Sequence, residues 1–161
     1  MAAPIVTYYN EAGNEQVTEW NIGEIDAGSS SDHKIITVWN NKGGNATNIS
    51  HMKYVTVTLT NEKGAATGSD SGSDIVLSQK WTHVKVNDGE DTPIGGETAA
   101  RVHAIGVDPE VDGYMIKGDA NDGTVGNALN NYAKYELWIQ VPPNAPEGSK
   151  PCRLRTGYSY T

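Results

Sequence analysis

Residues Asp32 to Gly44 read DHKIITVWNNKGG. The front of this stretch, DHKIITVW, reads as a strand, and it ends in two asparagines, a lysine and two glycines. Glycines after a strand have two physical uses. They cradle a phosphate when a helix N-terminus follows, or they let the chain turn into another strand. Here the continuation is NATNISHMKYVTVTLT, which ends in a second strand pattern. The lysine also precedes the glycines, the reverse of a phosphate loop. The stretch is therefore a strand end and a turn. Gly43 and Gly44 are expected to supply positive φ, and Asn40 and Asn41 to hydrogen-bond the local backbone.

The same alternation recurs on both sides of this turn. In YVTVTLT (Tyr54–Thr60), Val55, Val57 and Leu59 face one way and Thr56, Thr58 and Thr60 the other. Tyr135, Leu137, Ile139 and Val141 alternate with Glu136, Trp138 and Gln140. Leu154, Thr156, Tyr158 and Tyr160 alternate with Arg153, Arg155, Gly157 and Ser159. A period of two is the signature of half-buried strands. Weaker strands are expected at Ile5–Tyr9, Thr18–Ile22, Lys34–Asn40, Asp74–Ser78, Lys80–Asn87, Ala99–Ile105 and Gly113–Lys117. No segment sustains an apolar period of 3.6. GNALNNYAK (Gly126–Lys134) has room for one helical turn, and GAATGSDSGSD (Gly64–Asp74) and NDGEDTPIGGET (Asn87–Thr98) read as loops by composition. Many short strands separated by Gly, Asn, Asp, Ser and Pro predict an all-β sandwich or barrel in one domain spanning 1–161, and a sandwich of roughly seven to ten strands is the expectation adopted.

Composition narrows the function. The chain has 161 residues with a net charge of −8, 18 glycines, no phenylalanine, 8 tyrosines and 4 tryptophans. An acidic chain is repelled by phosphate backbones, so no nucleic acid is expected as partner. The dense basic pair, Arg153 and Arg155, reads as a solvated strand face. With one cysteine, Cys152, no intramolecular disulfide forms. MAAPIVTYYNEAG lacks a basic n-region and an apolar run, so it is not read as a secretory signal, and no apolar stretch approaches a membrane span. Cytoplasmic synthesis is expected, without membrane attachment. The glycosylation triplets Asn45-Ala46-Thr47 and Asn48-Ile49-Ser50 are discounted with it.

No stretch builds a convincing catalytic or metal centre. GSDSG (Gly68–Gly72) resembles a serine nucleophile turn but carries Asp70 where the serine belongs, and His33, His51, His83 and His103 are scattered. GDANDG (Gly118–Gly123) and the acids Asp108, Glu110 and Asp112 suggest calcium by oxygen content but miss the EF-hand spacing. Asn-Asp-Gly is also an ordinary hairpin signal. No cofactor and no metal are expected, and Cys152 reads as an inert thiol.

Apolar residues on unusual faces are the remaining features. Strand Lys34–Asn40 is apolar on both sides, with Ile36 and Val38 on one and Ile35 and Trp39 on the other. Either a loop covers the second side or a partner does. The N-terminal segment 1–15, with Ile5, Val6, Tyr8 and Tyr9, is a candidate docking segment, together with Ile35 and Trp39. Trp81 and Trp138 either fill the second side of the sandwich or stack on sugars.

EWNIGEIDAGSSSDHKIITVWNNKGG resembles a pattern of bacterial and viral immunoglobulin-like domains, carried by Trp20, Gly23, Gly28, Ser29 and Asn40. VPPNAPEGSKPCRLRTGYSYT is similar to the last turn and strand of such domains, through Pro142, Pro143, Ala145 and Gly148. The wider string, WNIG, DAGS, VWNNKGG and KW near the front with NYAKYELWIQVPPNAPEG and YSYT at the end, resembles small virion proteins of tailed bacteriophages. Those are capsid decoration and tail or baseplate accessory proteins. The resemblance implies an immunoglobulin-like β-sandwich and a non-enzymatic structural role in the virion. It implies many copies docked on other phage proteins, such as the major capsid or tail and baseplate proteins. The alternative is a carbohydrate-binding sandwich for adhesion to host cell-wall glycans, using Trp81 and Trp138.

Overall fold

The computed structural model describes residues 1–44, 46–66, 71–127 and 130–161. Among the described residues nine strands form two antiparallel sheets that face each other. They are β1 (Val6–Asn10), β2 (Lys34–Asn40), β3 (Met52–Asn61), β4 (Thr82–Val86), β5 (Thr92–Ile94), β6 (Ala100–Arg101), β7 (Met115–Ile116), β8 (Tyr132–Ile139) and β9 (Cys152–Ser159). Two helices, α1 (Ser71–Ser78) and α2 (Pro109–Asp112), complete the list. The first sheet runs β1-β2-β8-β4-β5. In the second, β3 is central. β9 pairs along one edge of it, and β6 and β7 share the other in tandem. Val55 shows the tandem: its amide donates to Tyr114 O and its carbonyl accepts from the Val102 amide. The sequence expectation of an all-β sandwich holds.

The period-two faces meet in the middle. Val55 and Val57 of β3 are fully buried, and they face Ile36, Val38, Val84, Tyr135 and Leu137 of the larger sheet. Each such side chain removed from water is worth about 1.5–3 kcal/mol. A one-residue slip of β3 would send all of them to the opposite face, so the pattern fixes the register. A single irregularity interrupts it. The β3–β9 register shifts between Lys53 and Thr56, where Tyr54 adopts φ +54° and stands 81% exposed.

Several expected elements differ, each for a physical reason. Asp74–Ser78 is not a strand but the end of α1, which buries the adjacent Val76 and Leu77 together. The loop expected over Gly64–Asp74 accordingly gives way to helix from Ser71 onward. Thr18–Ile22 has the alternation of a strand but, among the described residues, no strand paired with it. Only Ala100–Arg101 of Ala99–Ile105 is strand, and the Val102 amide adds one more bond to β3. Beyond it the chain crosses between sheets, the Ala104 amide reaching Met115 O and the Ile105 amide Tyr132 O. The expected loop Asn87–Thr98 contains β5, a three-residue edge strand that tolerates Pro93 because edge positions leave N–H groups unpaired. The helical turn expected at Gly126–Lys134 is absent where described, since Tyr132 already begins β8; 128–129 lie outside the described residues.

The turn after β2 does more than reverse the chain. Asn40 and Asn41 are buried, and their side chains reach across the fold as well as locally, Asn41 Nδ2 donating to Ala46 O within the turn as expected. Asn40 Nδ2 donates to Ser50 O and Ile116 O, while its Oδ1 accepts from the Ile5 amide. Asn41 Nδ2 donates to Gly118 O at 2.9 Å. Asn131 Nδ2 donates back to Asn40 O. Positive φ falls on Asn41 and Gly43, not on Gly44. Gly44 is needed for space: a Cβ there would strike the Asn41 side chain.

Candidate docking surfaces

The residues expected to dock are mostly spent on the protein's own packing. Trp39 is fully buried and stacks on Tyr132, ring centroids 4.3 Å apart. Val125, Ile105 and Tyr9 pack around this pair, and Lys42 Nζ lies over both Trp39 and Tyr9. The second apolar side of β2 is thus covered from within, and Trp39 is corrected from docking residue to core residue. Ile35 is half-buried on the outer face, opposite Glu136 of β8. Val6, Tyr8 and Tyr9 are half-buried in β1, and Tyr8 turns inward to donate to Thr156 Oγ1 at 2.7 Å. Of the six, only Ile5 is exposed. The segment 1–15 is not a free arm. Ala2 bridges Ile49, and the chain folds back after β1 through the Asn10 amide bonded to Glu15 O.

Trp138 occupies the outer face of the larger sheet but presents no open ring. Register places His83 directly opposite it on β4. His33 stacks on the indole at 4.3 Å and 8°, and His83 at 5.5 Å and 18°. Each imidazole is held by a carboxylate: His33 by Glu136 at 3.4 Å, His83 by Asp91 at 2.7 Å. Trp81 is also buried, its Nε1 donating to Gln79 Oε1. Neither indole offers the bare face that stacking on a sugar requires, so the glycan-stacking role of both is corrected to packing.

The loops whose oxygen content suggested calcium serve the fold as well. Asn121 Oδ1 accepts from the Gly43 and Gly123 amides, and its Nδ2 donates to Asn41 O. GDANDG therefore locks onto the NNKGG turn instead of forming a two-strand hairpin. Asp108 caps α2 by accepting from the Glu110 amide. Among the described residues no group of three or more His, Cys, Asp or Glu side chains is placed to share a metal ion. Positions 68–70 of the GSDSG stretch lie outside the described residues. His51 Nδ1 accepts from the Gly118 amide, the Asn87 side chain donates to the His103 carbonyl, and His103 Nδ1 lies 3.0 Å from Ala104 O. His33 and His83 meet only across Trp138, while His51 and His103 take other hydrogen-bond partners.

What stands open lies on the other side of the sandwich. A groove of about 950 Å³ runs between the larger sheet and β9. Ile36, Leu137 and Ile139 form its floor, Leu154 and Cys152 one wall, and the strap 17–25 the other. The strap turns Val17, Trp20, Ile22 and Ile25 inward and leaves Thr18, Glu19, Asn21 and Glu24 exposed. Edge strands as a class are a docking route that the sequence suggests, but which edge stays unpaired has no signature in one sequence, so this site could not be placed from it. β9 pairs with β3 alone, and among the described residues its second edge makes no backbone-to-backbone bond. Cys152 sits at that edge, its thiol pushed up to about 11 by burial and by the nearby Asp74 charge.

No family model and no curated protein matches the chain. Among the described residues no helix is long and apolar enough to cross a membrane.

Proposed function

We propose that the chain is a non-enzymatic structural protein of a tailed-phage particle. It is an immunoglobulin-like sandwich that sits on the capsid or on the tail or baseplate and docks on other virion proteins. The particle setting is supported by the sequence resemblance. Docking is supported by one structural observation: β9 is an eight-residue strand that, among the described residues, is paired along one edge only, beside an apolar groove. An unpaired edge is a template for a partner's backbone, with the groove supplying apolar burial. Neither needs chemistry. Repetition around a symmetric particle multiplies weak contacts by avidity.

The test is quantitative mass spectrometry of density-purified particles from the source strain, scored against the major capsid protein. Hundreds of copies per particle place the chain on the capsid or along the tail, and a few to tens place it at the baseplate. Complete absence from particles overturns the reading.

A further inference from the structure

The outward side of β9 adds a chemical specification to its free edge. All three arginines of this acidic chain, Arg101, Arg153 and Arg155, stand on one face. Register fixes this. Arg153 lies opposite Thr60, Arg155 opposite Thr58, and Arg101 opposite Thr56, three alternate residues of β3 that share its outward side. The three are exposed. Among the described residues no carboxylate forms an ion pair with any of them. The alternate residues of β9, Cys152 and Leu154, are half-buried and line the groove, whose rim Arg153 also touches. One edge thus presents alternating guanidinium and apolar positions over Cys152–Arg155. Beyond it Tyr8 closes the groove by bonding Thr156.

We infer that the edge of β9 at Cys152–Arg155 receives an extended segment of a partner protein in which carboxylates alternate with apolar side chains. A strand added there places its side chains directly beside those of β9 on the same faces. Residues next to Arg153 and Arg155 gain from being Asp or Glu, because guanidinium–carboxylate pairs are short and bidentate. Residues next to Cys152 and Leu154 enter the groove and gain from being apolar. A nucleic acid fits poorly: three arginines offer few phosphate contacts, and the net charge of −8 opposes a long polyanion. This inference deepens the docking reading above and rests on it.

The probe is a fluorescein-labelled, end-capped peptide Glu-Val-Glu-Val-Glu-Val-Glu, titrated with the full chain by anisotropy. Binding is expected at low salt, with slowed amide exchange at 152–155. R153E/R155E should weaken it at least tenfold, R153K/R155K should retain part of it, and a peptide with the central valine replaced by proline should bind more weakly. The inference is overturned if a Lys-Val peptide binds equally well, if R153E/R155E leaves binding unchanged, if no peptide binds, or if a 20-base-pair duplex binds more tightly. Self-association that survives R153E/R155E and blocks the peptide also overturns it by assigning the edge to a second copy. Particle incorporation is scored separately. A wild-type chain present in particles with a peptide result of this kind sinks the inference alone. A chain absent from particles sinks the virion reading whatever the peptide does.

Discussion

The phenol oxygen of Tyr135 lies 3.0 Å from Thr156 Oγ1, and this contact ties the centre of the larger sheet to β9 of the smaller one. The Tyr8 hydroxyl reaches the same threonine oxygen at 2.7 Å. Thr156→Val keeps the shape and removes the shared partner. It should destabilise the fold by about 1–3 kcal/mol for each phenol left unsatisfied. Urea denaturation at neutral pH checks this. A loss below about 0.5 kcal/mol would mean that water replaces the hydroxyl.

Burial raises the Tyr135 phenol far above the ordinary range, and raises Tyr8 less. The Cys152 thiol moves the same way, from 9.0 to about 11. The folded state therefore keeps protons that the unfolded chain releases. Fewer protons bound in the unfolded state means stability falls as pH rises. The decline should start near pH 9 with the thiol and steepen above pH 10 as unfolded tyrosines ionise. Urea midpoints between pH 7 and pH 11 measure it. Between pH 7 and 9 alkylation of Cys152 by iodoacetamide should be slower than that of an unfolded control, since the thiolate is the nucleophile.

Two strands were legible in the sequence: Lys34–Asn40, an apolar run, falls on its observed bounds, and the alternating Tyr54–Thr60 lies within β3. Only in the second does local periodicity alone set the apolar face. The strap was not legible as a strap, because Thr18–Ile22 alternates like a strand and only the absence of a neighbour disqualifies it. Trp39 and Trp138 were ambiguous for a related reason. Their faces could be read, but the covering groups, Tyr132 for one and His33 with His83 for the other, come from residues distant in the chain. The arginine face was half legible: Arg153 and Arg155 were visible as a pair, whereas Arg101 joins them only through β3.

The four tryptophans should divide sharply by access. Trp39, Trp81 and Trp138 are buried, while Trp20 is half-buried in the strap that lines the groove. Acrylamide should therefore quench mainly Trp20, and Trp20→Phe should remove most of the quenchable emission. His83→Ala should then create a new quenchable population by uncovering one side of Trp138. An unchanged quenching curve in His83→Ala would show that other groups shield the indole.

Tyr54 offers the sharpest separation of stability from docking. Its φ of +54° is left-handed backbone, which costs a bulky L-residue roughly 1–2 kcal/mol. The side chain is 81% exposed, so burial returns little of that cost. It sits at the bulge that shifts the register of β9 against β3. Strain held at an exposed aromatic fits a surface kept for a partner better than one kept for folding. Tyr54→Asn, which tolerates this backbone, should raise stability by about 0.5–1 kcal/mol. In particles it should lower incorporation, since exposed tyrosines serve as interface anchors. Denaturation midpoints and copy number per particle give the two readouts. A destabilised Tyr54→Asn would mean that the ring is tied into the fold. A stabilised variant with normal incorporation would free Tyr54 of any docking role.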